Sequence, residues 1–186
     1  MNSPLRRHNI TTTNRMGRVL WNLVWLCLFR PSPIFLHGWR RFLLRVFGAD
    51  IKQGAHIYPS VRVWAPWNLE VGPNSCLGHF VDCYCVEKVT LGKSVIVSQY
   101  AHLCTASHDY NSERLPLLAG AIAIDSYAWV TSGVFIGPGV TVGEGAVIGA
   151  RSSVFKDVDP WVVVVGNPPK MLKRRKRAEK IHQVDS

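Results

Sequence analysis

Acidic residues are scarce: the 186-residue chain sets 12 Asp and Glu against 22 Lys and Arg, a net charge of +10. The deficit is uneven. Residues 1–52 hold nine bases against the single acid Asp50, residues 53–169 hold six against nine acids, and residues 170–186 hold seven against two. The basic excess therefore belongs to the ends. That argues against a nucleic-acid groove along the whole body and points to local sites for anionic ligands or a membrane surface. Long apolar runs are missing as well. Residues 19–29, apolar except for Asn22, number eleven where a bilayer core needs about 20. No small-residue cleavage site follows, so no cleavable signal peptide is expected. Paired cysteines are lacking too: the five, at 27, 76, 83, 85 and 104, are odd in number, and Cys83-x-Cys85 is not a CxxC pair. They are expected to pack as small hydrophobes in a reducing cytoplasm, with no metal or redox work.

What is present is a period of six. From Ile124 an aliphatic residue recurs at Val130, Ile136, Val142, Ile148 and Val154, and four residues after each start stand Ala128, Val134, Val140, Ala146, Ser152 and Val158. Neither a helix nor an alternating strand has this period, and an internal repeat decides the fold. Upstream the starts are Ile51, Ile57, Val63, Val71, Leu77, Cys83, Leu91, Val97 and Leu103, with two extra residues after 63, two after 83 and fifteen after 103. Each insertion follows every third hexad. Three edges per turn would stack all of them at one corner of a triangular prism. The fold expected is an all-β parallel β-helix of about five coils, at 51–70, 71–90, 91–123, 124–141 and 142–159. At about 4.8 Å per coil it would stand on the order of 24 Å tall.

The hexads resemble those of the left-handed β-helix acyltransferases of the hexapeptide-repeat superfamily, and handedness is what that resemblance implies. "CTASHDY" at 104–110 and the run at 121–170 are similar to galactoside, maltose and nodulation-factor O-acetyltransferases. Acetyltransferases of colanic-acid-type exopolysaccharide synthesis are similar too, and share the "FRPSP…GWRRFLLRVFGA" stretch at 29–49. The resemblance covers nearly the whole chain.

Three parts are expected: an N-terminal helical segment at 1–50, the β-helix at 51–160 with a loop at 109–123, and an extended segment with a short basic helix at 161–186. Trp39, Phe42, Leu43, Val46 and Phe47 fall on one stripe of an amphipathic helix, with Arg40, Arg41 and Arg45 off it. The N-terminal helices have two readings: a cap over the open strand edges of the first coil, or an interfacial anchor through residues 19–47 on anionic lipid. Pro160 is expected to close the last coil. Lys173 to Arg177, five bases in a row, read as a solvated helix face or one approaching phosphates, ahead of a nucleic-acid signal.

The insertion is the one place where the repeat yields to a long loop, and such excursions usually carry function. His108 stands at its base. An imidazole, with a reference pKa near ~6.5, suits a general base for a sugar hydroxyl attacking a thioester. The family resemblance gives His108 this task, and Asp109 is a candidate to orient it. The resemblance also implies direct transfer from acetyl-CoA with no acyl-enzyme, and a homotrimer whose grooves lie between chains. Coenzyme A would lie beside the C-terminal coils, with Trp129 near the thioester, Ser132 and Ala150 along the pantetheine, and Lys156, Lys170 and Lys173 near the phosphates. Phe155 and Gly78-His79 depart from the family pattern, standing where relatives often carry a small hydroxyl residue and an acceptor-holding Asn. The acceptor would be a sugar or glycan, free, nucleotide-linked or lipid-linked. Two other functions stay open: a zinc enzyme like the carbonic anhydrases of this fold, using His79, His102 and His108, and a non-catalytic scaffold. No metal site is expected.

Overall fold

The computed structural model describes residues 5–176, and its body is a three-sided parallel β-helix. Strands Asp50–Ile51, Leu69–Val71, Val89–Leu91, Ile122–Ile124 and Thr141–Val142 stack in parallel on the first face. His56–Ile57, Cys76–Leu77, Ile96–Val97, Trp129–Val130 and Val147–Ile148 form the second, and Arg62–Val63, Asp82–Tyr84, His102–Cys104, Phe135–Ile136 and Ser153–Val154 the third. All fifteen aliphatic or cysteine starts of the hexads are at most 2% exposed, and they pair in register from coil to coil, as in Val63↔Cys83↔Leu103↔Ile136↔Val154. The six-residue period is therefore a core period. One inward residue per edge fills the prism, and the small fourth-offset residues line it near the corners.

The corners explain the remaining sequence. Between the first and second faces the chain turns through left-handed residues at Gly54, Asn74, Ser94, Tyr127, Gly145 and Trp161. A Cβ on Gly145 would lie 2.7 Å from the Trp161 ring, so that turn needs glycine for space as well as for its φ of 65°. The third corner holds every insertion, as the repeat implies. Pro66–Asn68 forms a short 3-10 turn there, and Asn68 Nδ2 donates to the carbonyls of Cys85 and Val86 in the coil above. The large insertion is more ordered than a loop. Ala106–His108 and Leu117–Ala119 make an antiparallel hairpin, with Arg6–Arg7 added as a third strand. The excursion spans 105–121, because Ile122–Ile124 is already back in register against Val89–Leu91.

The ends differ from expectation in four respects. First, the coil does not stop at Pro160. Trp161 turns the chain, and Val162–Val165 pairs in parallel with Val147–Ile148, so a partial sixth coil follows five full ones. Second, Lys170–Arg174 is a strand, antiparallel to Val162–Val165, where a basic helix was expected; alternating contacts along an exposed edge replace a helical face. Arg175 follows the strand with its N–H donating to Trp161 O, and the expected helix from 177 on lies outside the described residues. Third, helix α1 starts at Thr12, whose preceding Thr11 hydroxyl accepts from the Asn14 N–H, and runs to Val24 before a π-turn at Trp25–Phe29. Fourth, helix α2, His37–Val46, is rotated relative to its apolar stripe: Leu43 is buried, but Trp39, Phe42 and Val46 are exposed while Arg40 is fully buried.

Hydrogen bonding explains that rotation. Each coil donates its N–H groups to the next coil's carbonyls, as from Tyr58 to Leu77 and Trp64 to Cys83, so the first coil leaves an edge of bare carbonyls. The helices supply donors for it. Trp21 Nε1 donates to Val63 O at 2.7 Å, Trp25 Nε1 to Val61 O at 2.8 Å, Arg40 Nε to Ile57 O at 2.5 Å and Arg41 to Ala55 O at 2.9 Å, and Arg45 reaches Ile51 O. Arg40 further donates to Ser32 Oγ and to the carbonyls of Pro33 and Ile34. The demand for donors at a buried edge outweighs the pull of the apolar stripe. The capping reading of the N-terminal helices is thus correct for their inner face.

Candidate active site

The hairpin is fixed at its base by a small core of Val86, Ala106 and Ala119, against which Trp64, Tyr84 and Leu117 pack. It carries His108 outward. The imidazole is exposed, and its Nδ1 lies 2.6 Å from the carbonyl oxygen of Leu115 across the hairpin. A carbonyl can only accept, so this contact puts a proton on Nδ1, and in the neutral ring Nε2 then keeps the lone pair. Asp109 does not fill the orienting role considered for it: its Oδ1 accepts from the Asn111 N–H at 3.1 Å and shapes the hairpin tip. The orienting group is a backbone carbonyl, which no side-chain spacing could reveal.

Beside the hairpin the third face carries Arg62, Asp82 and His102 in paired register, one above another. Arg18 and Asn22 from α1 join Arg62, Trp64, Asp82 and Tyr84 around a polar cavity of about 240 Å³. Arg18 lies 4.1 Å from the Trp64 ring, which meets Tyr84 edge to face. Burial, with the neighbouring Cys104 adding and Arg18 opposing, pushes the Tyr84 phenol above its ordinary pKa, so it is a neutral hydroxyl here. Sequence reasoning missed this group. Its signal was the spacing of 62, 82 and 102, one coil apart on an outward position; the contribution of α1 had none.

The residues expected along coenzyme A separate into two clusters. Phe155, Lys156 and Lys170 line a cavity of about 470 Å³ at the C-terminal end, floored by Val154, Val158, Val162 and Val164 and closed by Pro168 and Pro169. Trp129 and Lys173 share the outward column of the second face through Val147 and Val163, with Trp129 Nε1 donating to Ser98 Oγ at 2.9 Å. Ser132 and Ala150 occupy the adjoining corner, where the Arg151 N–H donates to Ser132 O. An apolar cleft whose charged lining is Lys156 and Lys170 beside Asp157 and Asp159 can take a ligand with an organic arm, with the ammonium groups available to phosphates.

Three of the thiols and the histidines at 79 and 102 have surroundings of their own, although His102 Nε2 is buried without a hydrogen bond among the described residues, 3.9 Å from Asp82 Oδ2. Cys83 and Cys85 are fully buried, and Cys104 Sγ donates to Ala106 O while burial raises its pKa. His79 Nδ1 lies 2.9 Å from Ser60 Oγ with its ring against Tyr58 and Phe80, and His102 packs edge-on to Phe135. Among the described residues no three His, Cys, Asp or Glu side chains come together as a metal-holding group.

No family model matches the chain. It is 42% identical over 160 residues, 86% of its length and 88% of the relative's, to WcaF of Escherichia coli (strain K12), provisionally named a colanic acid biosynthesis acetyltransferase. It is 29% identical over 140 residues, 72% of this chain and 68% of the other, to the galactoside O-acetyltransferase of the same organism. Its fold matches the hexapeptide-repeat-containing acetyltransferase VCA0836 of Vibrio cholerae, solved with acetyl coenzyme A, at a TM-score of 0.80, covering 90% of this chain and 91% of that one at 22% identity. A left-handed β-helix built on hexads, with a histidine-bearing hairpin at its interrupted corner and 42% identity to WcaF, belongs to the hexapeptide-repeat acetyltransferase family of acyltransferases.

Proposed function

We propose that the chain is an acetyl-CoA-dependent O-acetyltransferase acting on a sugar hydroxyl in exopolysaccharide or other surface-glycan assembly, with His108 as general base and direct transfer. The observation that carries this reading is the 2.6 Å contact between His108 Nδ1 and Leu115 O. It holds the ring in the tautomer whose Nε2 can take a proton. The acceptor hydroxyl gives its proton to Nε2 as its oxygen adds to the thioester carbonyl, and a backbone N–H stabilises the tetrahedral oxyanion. The carbon–sulfur bond then breaks, and the proton on His108 passes to the departing sulfur. Cys104 is not a nucleophile in this scheme, since burial favours its thiol form.

Phe155, Lys156 and Lys170 would hold one part of coenzyme A in the C-terminal cavity, and Trp129, Ser132, Ala150 and Lys173 another along the second face. The names of WcaF and the galactoside enzyme support a sugar acceptor. The rings, guanidiniums and carboxylate around Arg18, Arg62, Trp64, Asp82 and Tyr84 suit its hydroxyls. A homotrimer would bring the exposed hairpin of one chain against the wall of the next, working in the cytoplasm at the inner face of a membrane. The test is release of thiol from acetyl-CoA over a panel of sugar acceptors. Acceptor-dependent release is expected. Failure to bind acetyl-CoA by calorimetry would overturn the acyltransfer reading.

A further inference from the structure

The cap accounts for only one side of the N-terminal helices. α1 and its π-turn direct Trp21, Trp25 and Phe29 into the prism, yet the opposite side is also apolar, with Met16, Val19, Leu20, Leu23 and Leu26 exposed. Only the stripe of Arg15, Arg18 and Asn22 interrupts this apolar surface, so α1 carries an apolar side beyond the one the prism uses. The connection adds Leu28, Ile34, Leu36 and Phe35, the last 79% exposed, and α2 adds Trp39, Phe42 and Val46. These form one surface across the two helices: Trp39 Nε1 donates to Leu28 O at 3.0 Å, and the Trp39 and Phe42 rings stack at 5.7 Å. Among the described residues, half of the exposed large hydrophobics, twelve of 24, lie in the 31 positions from Met16 to Val46. Such concentration is far from the single scattered residues normal for a soluble surface.

The charge around this surface has one sign. Residues 5–49 contain eight arginines and no Asp or Glu; Arg15 on α1 and Arg30 after the π-turn are exposed, and Arg45 on α2 is exposed while its guanidinium also reaches Ile51 O. Asp50, the first acid, is paired with Lys52 at 2.8 Å. A second copy seated face to face would bring arginines against arginines and is disfavoured. No described helix is long and apolar enough to cross a membrane, so the surface can lie on a bilayer but not span it.

We infer that the outer face of the N-terminal cap is a docking surface for an anionic lipid bilayer, with Leu23, Leu26, Phe35 and Phe42 entering the headgroup boundary and the arginines facing lipid phosphates. This deepens the membrane location proposed above and is independent of the acetyl transfer. The cap thereby joins two solvents: its inner side donates hydrogen bonds to the first coil, and its outer side gives apolar area to the bilayer.

The test is co-sedimentation of the full chain with vesicles of phosphatidylcholine alone and of phosphatidylcholine mixed with phosphatidylglycerol. It is repeated with the variant Leu23→Gln, Leu26→Gln, Phe35→Gln, whose three positions are exposed and outside the site. Binding to the mixed vesicles is expected, weakened by salt as the screening length falls from about 10 Å at 0.1 M to 3 Å at 1 M. The variant is expected to bind at least about tenfold more weakly. Equal binding to neutral vesicles, no binding to mixed ones, or native binding by the variant would each overturn the proposal. So would a variant that changes the oligomeric mass in solution while the native chain ignores lipid, since a second copy would then own the face. Thiol release with a soluble acceptor, measured without vesicles, keeps this result separate from the acetyltransferase reading.

Discussion

The two ends of the prism face opposite problems. Coil 1 ends in bare carbonyls, and the chain covers them with side-chain donors from α1, the π-turn and α2: two tryptophan N–H groups and three guanidiniums. The C-terminal end instead folds its own backbone over, laying Lys170–Arg174 antiparallel on Val162–Val165 and leaving an apolar cleft beside it. The difference teaches why the N-terminal segment is rich in arginine and empty of acid. An edge of acceptors needs donors, and a carboxylate there would add one more acceptor to a buried rim. One end is built for closure. The other keeps a hollow.

Removing the donors should break this contrast most sharply. Arg40→Ala empties a fully buried position and takes the guanidinium from the carbonyls of Ile57, Pro33 and Ile34, leaving Ile57 O to His37 alone, and the expected loss is about 3 kcal/mol by denaturant titration, given ~1–3 kcal/mol for each group left unsatisfied. Trp21→Phe keeps an aromatic side chain but deletes the bond to Val63 O and part of a fully buried indole; about 2–3 kcal/mol should be lost in the same assay. At the opposite end, Lys170→Ala should leave the melting temperature unchanged, because the side chain is exposed, while KM for acetyl-CoA rises about threefold to tenfold with kcat kept.

The smallest expected effect is a pH dependence of the cap. His37 sits below its usual range chiefly through burial, with Arg40, His56 and Arg41 adding to this against the bond to Ile57 O. Its folded pKa is lowered, so below the ordinary histidine value the unfolded chain binds the extra proton and folding stability falls. Melting temperatures should therefore drop modestly from pH ~7.5 to ~5.5. His37→Gln should flatten part of that drop.

Much of the fold was legible because a β-helix is nearly one-dimensional. Every hexad start reported one buried side chain, and the insertions reported one corner. The ends were less legible, since their local patterns were overruled by edges far away in sequence. The apolar stripe of α2 yielded to the carbonyl of Ile57, and the basic run at 173 paired as a strand with Val162–Val165. For the site, His108 was marked by its place at the break in the repeat. Its partner Leu115 acts through a carbonyl, and the contribution of Arg18 depends on how α1 crosses the third face. Neither leaves a trace in residue type.

The measurement closest to the central claim is acceptor-dependent thiol release from acetyl-CoA by the native chain and by His108→Ala, with melting temperatures taken on the same samples. His108 is exposed on the hairpin, so melting should be unchanged while the rate falls by about 10²–10⁴-fold. Native-like release by the folded variant would contradict the claim.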